Sequence, residues 1–180
     1  IETDLIINNA TISNNQGNSS LLYIRGVNAT FNDIIIENNE IGNKMIQFKY
    51  SQSNNNISFN RSIIIGSESE NCSMDIYVEA PGTYVFNNCV LNNSRTINTE
   101  IMQSGSGNIN FTNCIFPFDK CYIGSGVLTN IGYSFNIGSG SPMGSGSVNY
   151  LEGNLSGDPQ LNTDYTLQPT SPCIDAGDPE

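Results

Sequence analysis

The sequence predicts an all-β solenoid, in which short parallel strands wind in coils around one core. Three observations carry this. One pattern recurs five times: a large apolar residue, two turn-prone residues, a small or apolar residue, a variable position and another apolar residue. It reads Ile7-Asn8-Asn9-Ala10-Thr11-Ile12, Phe31-Asn32-Asp33-Ile34-Ile35-Ile36, Phe59-Asn60-Arg61-Ser62-Ile63-Ile64, Phe86-Asn87-Asn88-Cys89-Val90-Leu91 and Phe111-Thr112-Asn113-Cys114-Ile115-Phe116. The leading residues are 24, 28, 27 and 25 positions apart, a period that marks stacked supersecondary units. A unit this short cannot bury its own apolar face and must lean on its neighbours. The second observation is composition: Asn, Ser, Gly, Ile and Thr abound, while the helix formers Ala, Leu and Lys are scarce. The third is alternation of apolar and polar residues in very short runs, the signal of half-buried strands.

The second repeat gives each element its reason. Ala29-Thr30-Phe31 is a short strand with Phe31 inward, and Asn32-Asp33 bends the chain. Ile34-Ile35-Ile36 is a second strand with Ile34 and Ile36 inward. A longer turn begins at Asn38-Asn39, and Met45 to Lys49 forms a third strand with Ile46 and Phe48 inward. In register, the third strands align Leu22, Ile46, Met74 and Ile101, then Ile24, Phe48, Ile76 and Gln103. Three strands per turn, each paired with its counterpart one coil later, make three short parallel sheets and about five to seven coils.

The bend column holds Asn9, Asp33, Arg61, Asn88 and Asn113. Asn and Asp tolerate the left-handed backbone that a sharp bend requires. Stacked at the coil spacing, their side chains are expected to form a ladder. Arg61 interrupts it, which predicts a local bulge or a one-residue slip of register.

One domain is expected, with regular coils over 1–116, looser coils over 117–156 and a closing segment over 157–180. The middle stretch is rich in Gly and Ser (Gly124-Ser125-Gly126, Gly138-Ser139-Gly140, Gly144-Ser145-Gly146) and also reads as a flexible linker. Coils are the preferred reading: Phe135 follows Phe111 by 24 residues, and Tyr133, Val148, Tyr150 and Leu151 keep apolar surface recurring.

Five cysteines, Cys72, Cys89, Cys114, Cys121 and Cys173, form neither an even disulfide set nor a metal-ligand spacing. Cys89 and Cys114 share a column with Ala10, Ile34 and Ser62, so they are expected as buried free thiols acting as small hydrophobes. Six Lys plus Arg against seventeen Asp plus Glu give a net charge of −11, which repels phosphate backbones and argues against nucleic acid. No apolar run reaches membrane-spanning length, so no membrane insertion is expected. Starting at Ile1 without Met, the chain reads as a domain cut from a longer one.

The repeats over residues 4 to about 116 resemble the right-handed parallel β-helix of pectin-degrading enzymes, phage tailspikes and bacterial surface proteins. The resemblance supplies the handedness, and parallel crossovers favour the same hand. The ending, Gly157-Asp158-Pro159-Gln160-Leu161, Asp164-Tyr165-Thr166-Leu167-Gln168-Pro169 and Ser171-Pro172-Cys173-Ile174-Asp175-Ala176-Gly177-Asp178-Pro179, resembles the segment closing many bacterial secreted and surface-displayed β-helices. Physically it suits a cap, because Pro159, Pro169 and Pro172 deny donors to further ladder pairing. Asp175-Ala176-Gly177-Asp178 lacks the full spacing of a calcium loop, so no metal is assigned.

The outward positions of the third strand supply the candidate binding face: Tyr23, Gln47, Asp75 and Met102 in one column, and Arg25, Lys49, Tyr77 and Ser104 beside it. Tyr rings stack on sugars, and Arg, Lys, Gln and Asp hydrogen-bond hydroxyls and carboxylates. In the resembling enzymes and tailspikes this face holds polysaccharide. An ordinary solvated sheet gives the same residues. Catalysis has less support. A glycosidase needs two carboxylates about 5 to 9.5 Å apart; Asp75 has only Glu79 or Glu100 near it in the column. A lyase needs clustered acids holding calcium beside Arg or Lys. With no His, the commonest acid–base residue is missing. Nine Asn-x-Ser/Thr triplets are attributed to composition, and no outward Thr-x-Thr rows suggest ice binding. The expectation is a non-catalytic, secreted or cell-surface domain, monomeric and without cofactor, structural or adhesive and contacting polysaccharide or cell-surface glycans through Tyr23, Arg25, Gln47, Lys49, Asp75 and Tyr77. The alternative is a polysaccharide lyase or glycoside hydrolase using the same face. The outward aliphatic stripe of the second strand, Thr11, Ile35, Ile63, Val90 and Ile115, is expected to meet a neighbouring domain or the long turns folded back over it.

Overall fold

A computed structural model describes residues 4–25, 28–49, 55–67, 74–78, 81–92, 107–118, 121–138 and 140–177; for 74 and 75 only the backbone is described. The first coil comprises β1 (Asp4–Ser13), β2 (Gln16–Gly17) and β3 (Leu22–Arg25), and the second β4 (Asn28–Glu37), β5 (Glu40–Ile41) and β6 (Lys44–Lys49). The third has β7 (Asn55–Asn60), β8 (Ile63–Ile65) and β9 (Met74–Val78); the fourth has β10 (Gly82–Asn87) and β11 (Val90–Asn92). Next come β12 (Gly107–Thr112), β13 (Ile115–Phe116) and β14 (Tyr122–Ile123), then β15 (Val127–Gly132), β16 (Phe135–Ile137) and β17 (Met143–Gly144), and last β18 (Ser147–Tyr150) and β19 (Leu155–Gly157).

Every described strand pairs in parallel with its counterpart one coil away, and the chain winds as a right-handed β-solenoid. One sheet runs β18-β15-β12-β10-β7-β4-β8-β11-β13-β16-β19, with β1 on β4. The first two sheets are therefore joined where β4 runs through the bend. A separate three-stranded sheet, β3-β6-β9, forms the third face. No described helix is long and apolar enough to cross a membrane.

The core is a column of rings. Phe31, Phe59, Phe86 and Phe111 occupy equivalent positions on successive coils, with centroids 4.5, 5.4 and 5.0 Å apart. Phe116 and Phe118 extend the stack at 4.3 and 4.5 Å. Equivalent aromatics in a parallel ladder fall at the strand spacing, near the separation at which offset rings attract. Gly82 admits the close pairing of coils three and four: its φ is 154°, and a Cβ there would run into the carbonyl oxygen of Asn55.

The bend column adopts left-handed backbone throughout, with φ of 52° at Asn9, 57° at Asp33, 49° at Arg61, 54° at Asn88 and 53° at Asn113. Two expectations are corrected here. Arg61 causes neither bulge nor slip: Asn60 still pairs with Asn32 and Ile63 with Ile35, and the guanidinium grips Asp33 below it through two contacts of 2.8 Å. This ion pair holds the Asp33 carboxyl below its ordinary range, chiefly through the hydrogen bond from Arg61. The amide ladder lies one residue earlier, where Asn32 donates to Asn8 at 2.8 Å, Asn60 to Asn32 at 2.9 Å and Asn87 to Asn60 at 3.2 Å. These side chains belong to strand residues whose directions repeat from coil to coil, so neighbouring amides meet.

The Cys column is also richer than a packing position. Cys89 and Cys114 are buried free thiols, yet they hydrogen-bond as Ser62 and Ser134 do. Ser62, Cys89, Cys114 and Ser134 each donate to the carbonyl two residues back, of Asn60, Asn87, Thr112 and Gly132, at 3.0, 3.3, 3.2 and 2.9 Å. Ser134 Oγ also accepts from the Cys114 N–H at 3.2 Å, as Ser62 Oγ does from Ile34 N–H at 3.3 Å. The column satisfies backbone groups that the bend takes out of the ladder.

A third correction concerns Phe135. Phe111 pairs with Ile131, and Phe135 pairs with Ile115. The coil between them is shorter than the 24-residue spacing implied, so Phe135 joins the outward stripe instead of the inward ring column.

Candidate functional site

The third sheet is held by inward columns Leu22–Ile46–Ile76 and Ile24–Phe48–Val78. Its outward pairs are Tyr23 with Gln47, Gln47 with Tyr77, and Arg25 with Lys49. The sequence register is thus shifted by two residues on β9: Tyr77 lies opposite Gln47, and Asp75 falls between the Lys44–Met74 and Ile46–Ile76 pairs. The physical reason is parity. Met74, Ile76 and Val78 all suit an inward position, and a two-residue shift keeps every side chain on its own face. Ile101 to Ser104 and the side chain of Asp75 lie outside the described residues.

The six candidate residues do not make one flat platform. Tyr23 is 56% exposed and Arg25 is exposed, whereas Lys49 and Tyr77 are half-buried. Gln47 is only 7% exposed, and its Oε1 accepts a 3.0 Å hydrogen bond from Ser20 Oγ. Gln47 therefore supports the face from within and offers little to a ligand. Sequence reasoning missed Lys44, whose Nζ lies 4.2 Å from the Tyr77 ring centroid, with Lys49 Nζ at 5.9 Å. The signal was its place at the entry of the third strand, one coil below Tyr77. Cation–ring contacts of this kind fix the ring and both ammonium groups. Among the described residues, no group of three or more His, Cys, Asp or Glu could hold a metal.

A second feature lies on the second sheet. The outward stripe runs Thr11, Ile35, Ile63, Val90, Ile115, Phe135 and Leu155 in unbroken register. The C-terminal tail returns beside it. Leu167, Cys173 and Ala176 face Ile115 and Phe135 across a cleft of about 330 Å³, and Gly177 lies against the Asn113 side chain. The tail holds its own shape: Ser171 Oγ donates to Pro159 O, Cys173 N–H to Ser171 Oγ, and Thr166 N–H to the Asp164 carboxylate. Bonds from Thr166 lower the Asp164 pKa. Ile115 and Phe135 are buried, while Ile35, Ile63 and Val90 stay half-buried.

Comparison with protein-family models, curated proteins and solved structures finds no match to this chain. What the face can do follows from its side chains. Two tyrosines and three cations can stack on a sugar ring and bond its oxygens.

Proposed function

We propose that this chain is a non-catalytic, secreted or cell-surface β-helix domain of a bacterium, a rigid spacer or adhesive module that contacts glycans through the outward face of the third sheet. The observation that carries this reading is the continuous ring column from Phe31 to Phe118, flanked by the Asn8–Asn32–Asn60–Asn87 ladder. Such a stack resists bending, because each coil contacts only its neighbours and every contact is repeated. The exposed Tyr23 and the Lys-clamped Tyr77 suit a sugar contact on its flank.

The test is incubation of the domain with a panel of acidic and neutral polysaccharides, with and without calcium, reading both binding and product. Binding without product is expected. Reproducible release of reducing or unsaturated ends would overturn the reading in favour of a hydrolase or lyase.

A further inference from the structure

The first face of the solenoid is made by β18, β15, β12, β10 and β7 with the leading halves of β4 and β1. Its outward side chains are amides, hydroxyls and a few aliphatics, with one charge, Asp4, on the first coil. On a chain of net charge −11, such a face offers a second copy little repulsion. Its middle column changes height along the axis. On coils two to four the column is short: Thr30, Ser58 and Val85, with Ser58 Oγ donating to Thr30 Oγ1 at 3.2 Å. These three line a trough of about 320 Å³ together with Asn28, Asn56 and Thr83. On coils five to seven the same column becomes a ridge of Asn110, Asn130 and Asn149. Asn130 donates to Asn110 at 2.8 Å and Asn149 to Asn130 at 3.1 Å, which holds the ridge in one shape.

We propose that two copies of this chain pair through this face, trough against ridge, in place of the monomer expected from the sequence. A two-fold axis parallel to the strands, between the fourth and fifth coils, keeps each column opposite itself and reverses the order of the coils. Thr30, Ser58 and Val85 then meet Asn149, Asn130 and Asn110 of the partner subunit. The flanking columns fit in the same sense, long against short. Asn28 falls on the partner's Ser147, Thr83 on the partner's Asn108, Asn87 on the partner's Thr112 and Asn60 on the partner's Gly132. Asn56 against the partner's Leu128 is the exception. Both faces repeat at the strand spacing of about 4.8 Å, so the fit holds from coil to coil and the side chains interdigitate. Six coils overlap, with Asp4 outside the overlap. Five residues on each strand give roughly 500 Å² per copy, at the low end of specific interfaces, so the pair is weak and reversible. The third sheet takes no part, and the pairing stands apart from the glycan reading.

The experiment is analytical ultracentrifugation of the full 180-residue chain from about 5 µM to about 1 mM, the range in which an interface of this size dissociates. A monomer–dimer equilibrium is expected, tightening as salt rises to about 0.5 M, because screening weakens the repulsion between two acidic copies. Ser58→Asn fills the trough opposite the partner's Asn130 and is expected to weaken the dimer at least about tenfold. Adding Asn130→Ser to that variant exchanges the two sizes and is expected to restore the dimer. Thr30→Asn, with and without Asn149→Ser, repeats the exchange at another coil if the first variant melts early. Ile63→Ser, on the outward stripe of the second sheet, is expected to dimerise as the parent does. A monomer at every concentration and salt overturns the proposal. Growth past the dimer into open assemblies overturns the two-fold arrangement. A dimer that survives Ser58→Asn but is lost on Ile63→Ser overturns the choice of face. Loss on Ser58→Asn without rescue by Asn130→Ser, at unchanged Tm, overturns the pairing of trough with ridge.

Discussion

Phe59→Ala is the perturbation that most directly probes how the solenoid holds together. Phe59 is fully buried and stacks on Phe31 at 4.5 Å and on Phe86 at 5.4 Å, with Phe48 edge-on at 6.3 Å. Truncating a buried Phe costs about 3–5 kcal/mol through lost transfer energy and the cavity left behind. Two stacked partners add about 0.5–1.5 kcal/mol each. The upper end is expected, about 5 kcal/mol, because the neighbouring rings belong to paired strands and cannot collapse into the gap. For a chain of this size that corresponds to a fall in Tm of roughly 10–20 °C. Phe118→Ala, at the far end of the stack, is the comparison: its partners are Phe116 at 4.5 Å and Tyr150 at 6.3 Å. Urea unfolding followed by circular dichroism measures both, and Phe59→Leu, which leaves a smaller cavity, serves if the alanine variant fails to fold. Phe59→Ala is also expected to broaden the transition, since it weakens two successive coil interfaces in a structure stabilised by nearest neighbours. A cost equal to or below that of Phe118→Ala would refute the idea that the ring column is the continuous element of the core.

Asn60→Ala removes both the bond to Asn32 and the acceptor for Asn87; a loss of about 1–3 kcal/mol is expected in the same urea assay. Arg61→Asn should leave the fold intact, because Asn tolerates the left-handed backbone at this position, while freeing the Asp33 carboxyl. The Asp33 pKa is lowered in the folded chain, so its contribution is full above the ordinary value of 3.8 and lost as pH falls through the folded value. The Tm difference between parent and Arg61→Asn should therefore shrink on acidification below pH 3.8, and a constant difference would sink that account. Cys89 and Cys114 are buried, and burial pushes the Cys114 thiol well up. Both should resist iodoacetamide at pH 8 in the native domain and react once urea unfolds it, as mass spectrometry of the labelled peptides would show.

The sequence alone determined the class of fold, because spacing and alternation are local properties. Phe31, Phe59, Phe86 and Phe111 could be picked out as inward residues without coordinates, since the period of each repeat forces them into one column. The left-handed bend was equally legible, since Asn and Asp at Asn9, Asp33, Asn88 and Asn113 name the backbone conformation they tolerate. Partner identities across coils were not. On β9, Met74, Ile76 and Val78 satisfy the same pattern in two registers, and only the closed coil chose the one that sets Tyr77 against Gln47. That choice decides the candidate face, bringing the Tyr77 ring against Lys44 and leaving Gln47 buried. Arg61 looked like a defect because its partner, Asp33, is 28 residues away in sequence and directly beneath it in space. The tail's return along Ile115 and Phe135 was equally hidden, since its apolar residues are scattered among turns. Periodicity fixes which way a side chain points; only the winding of one coil on the next fixes what it meets.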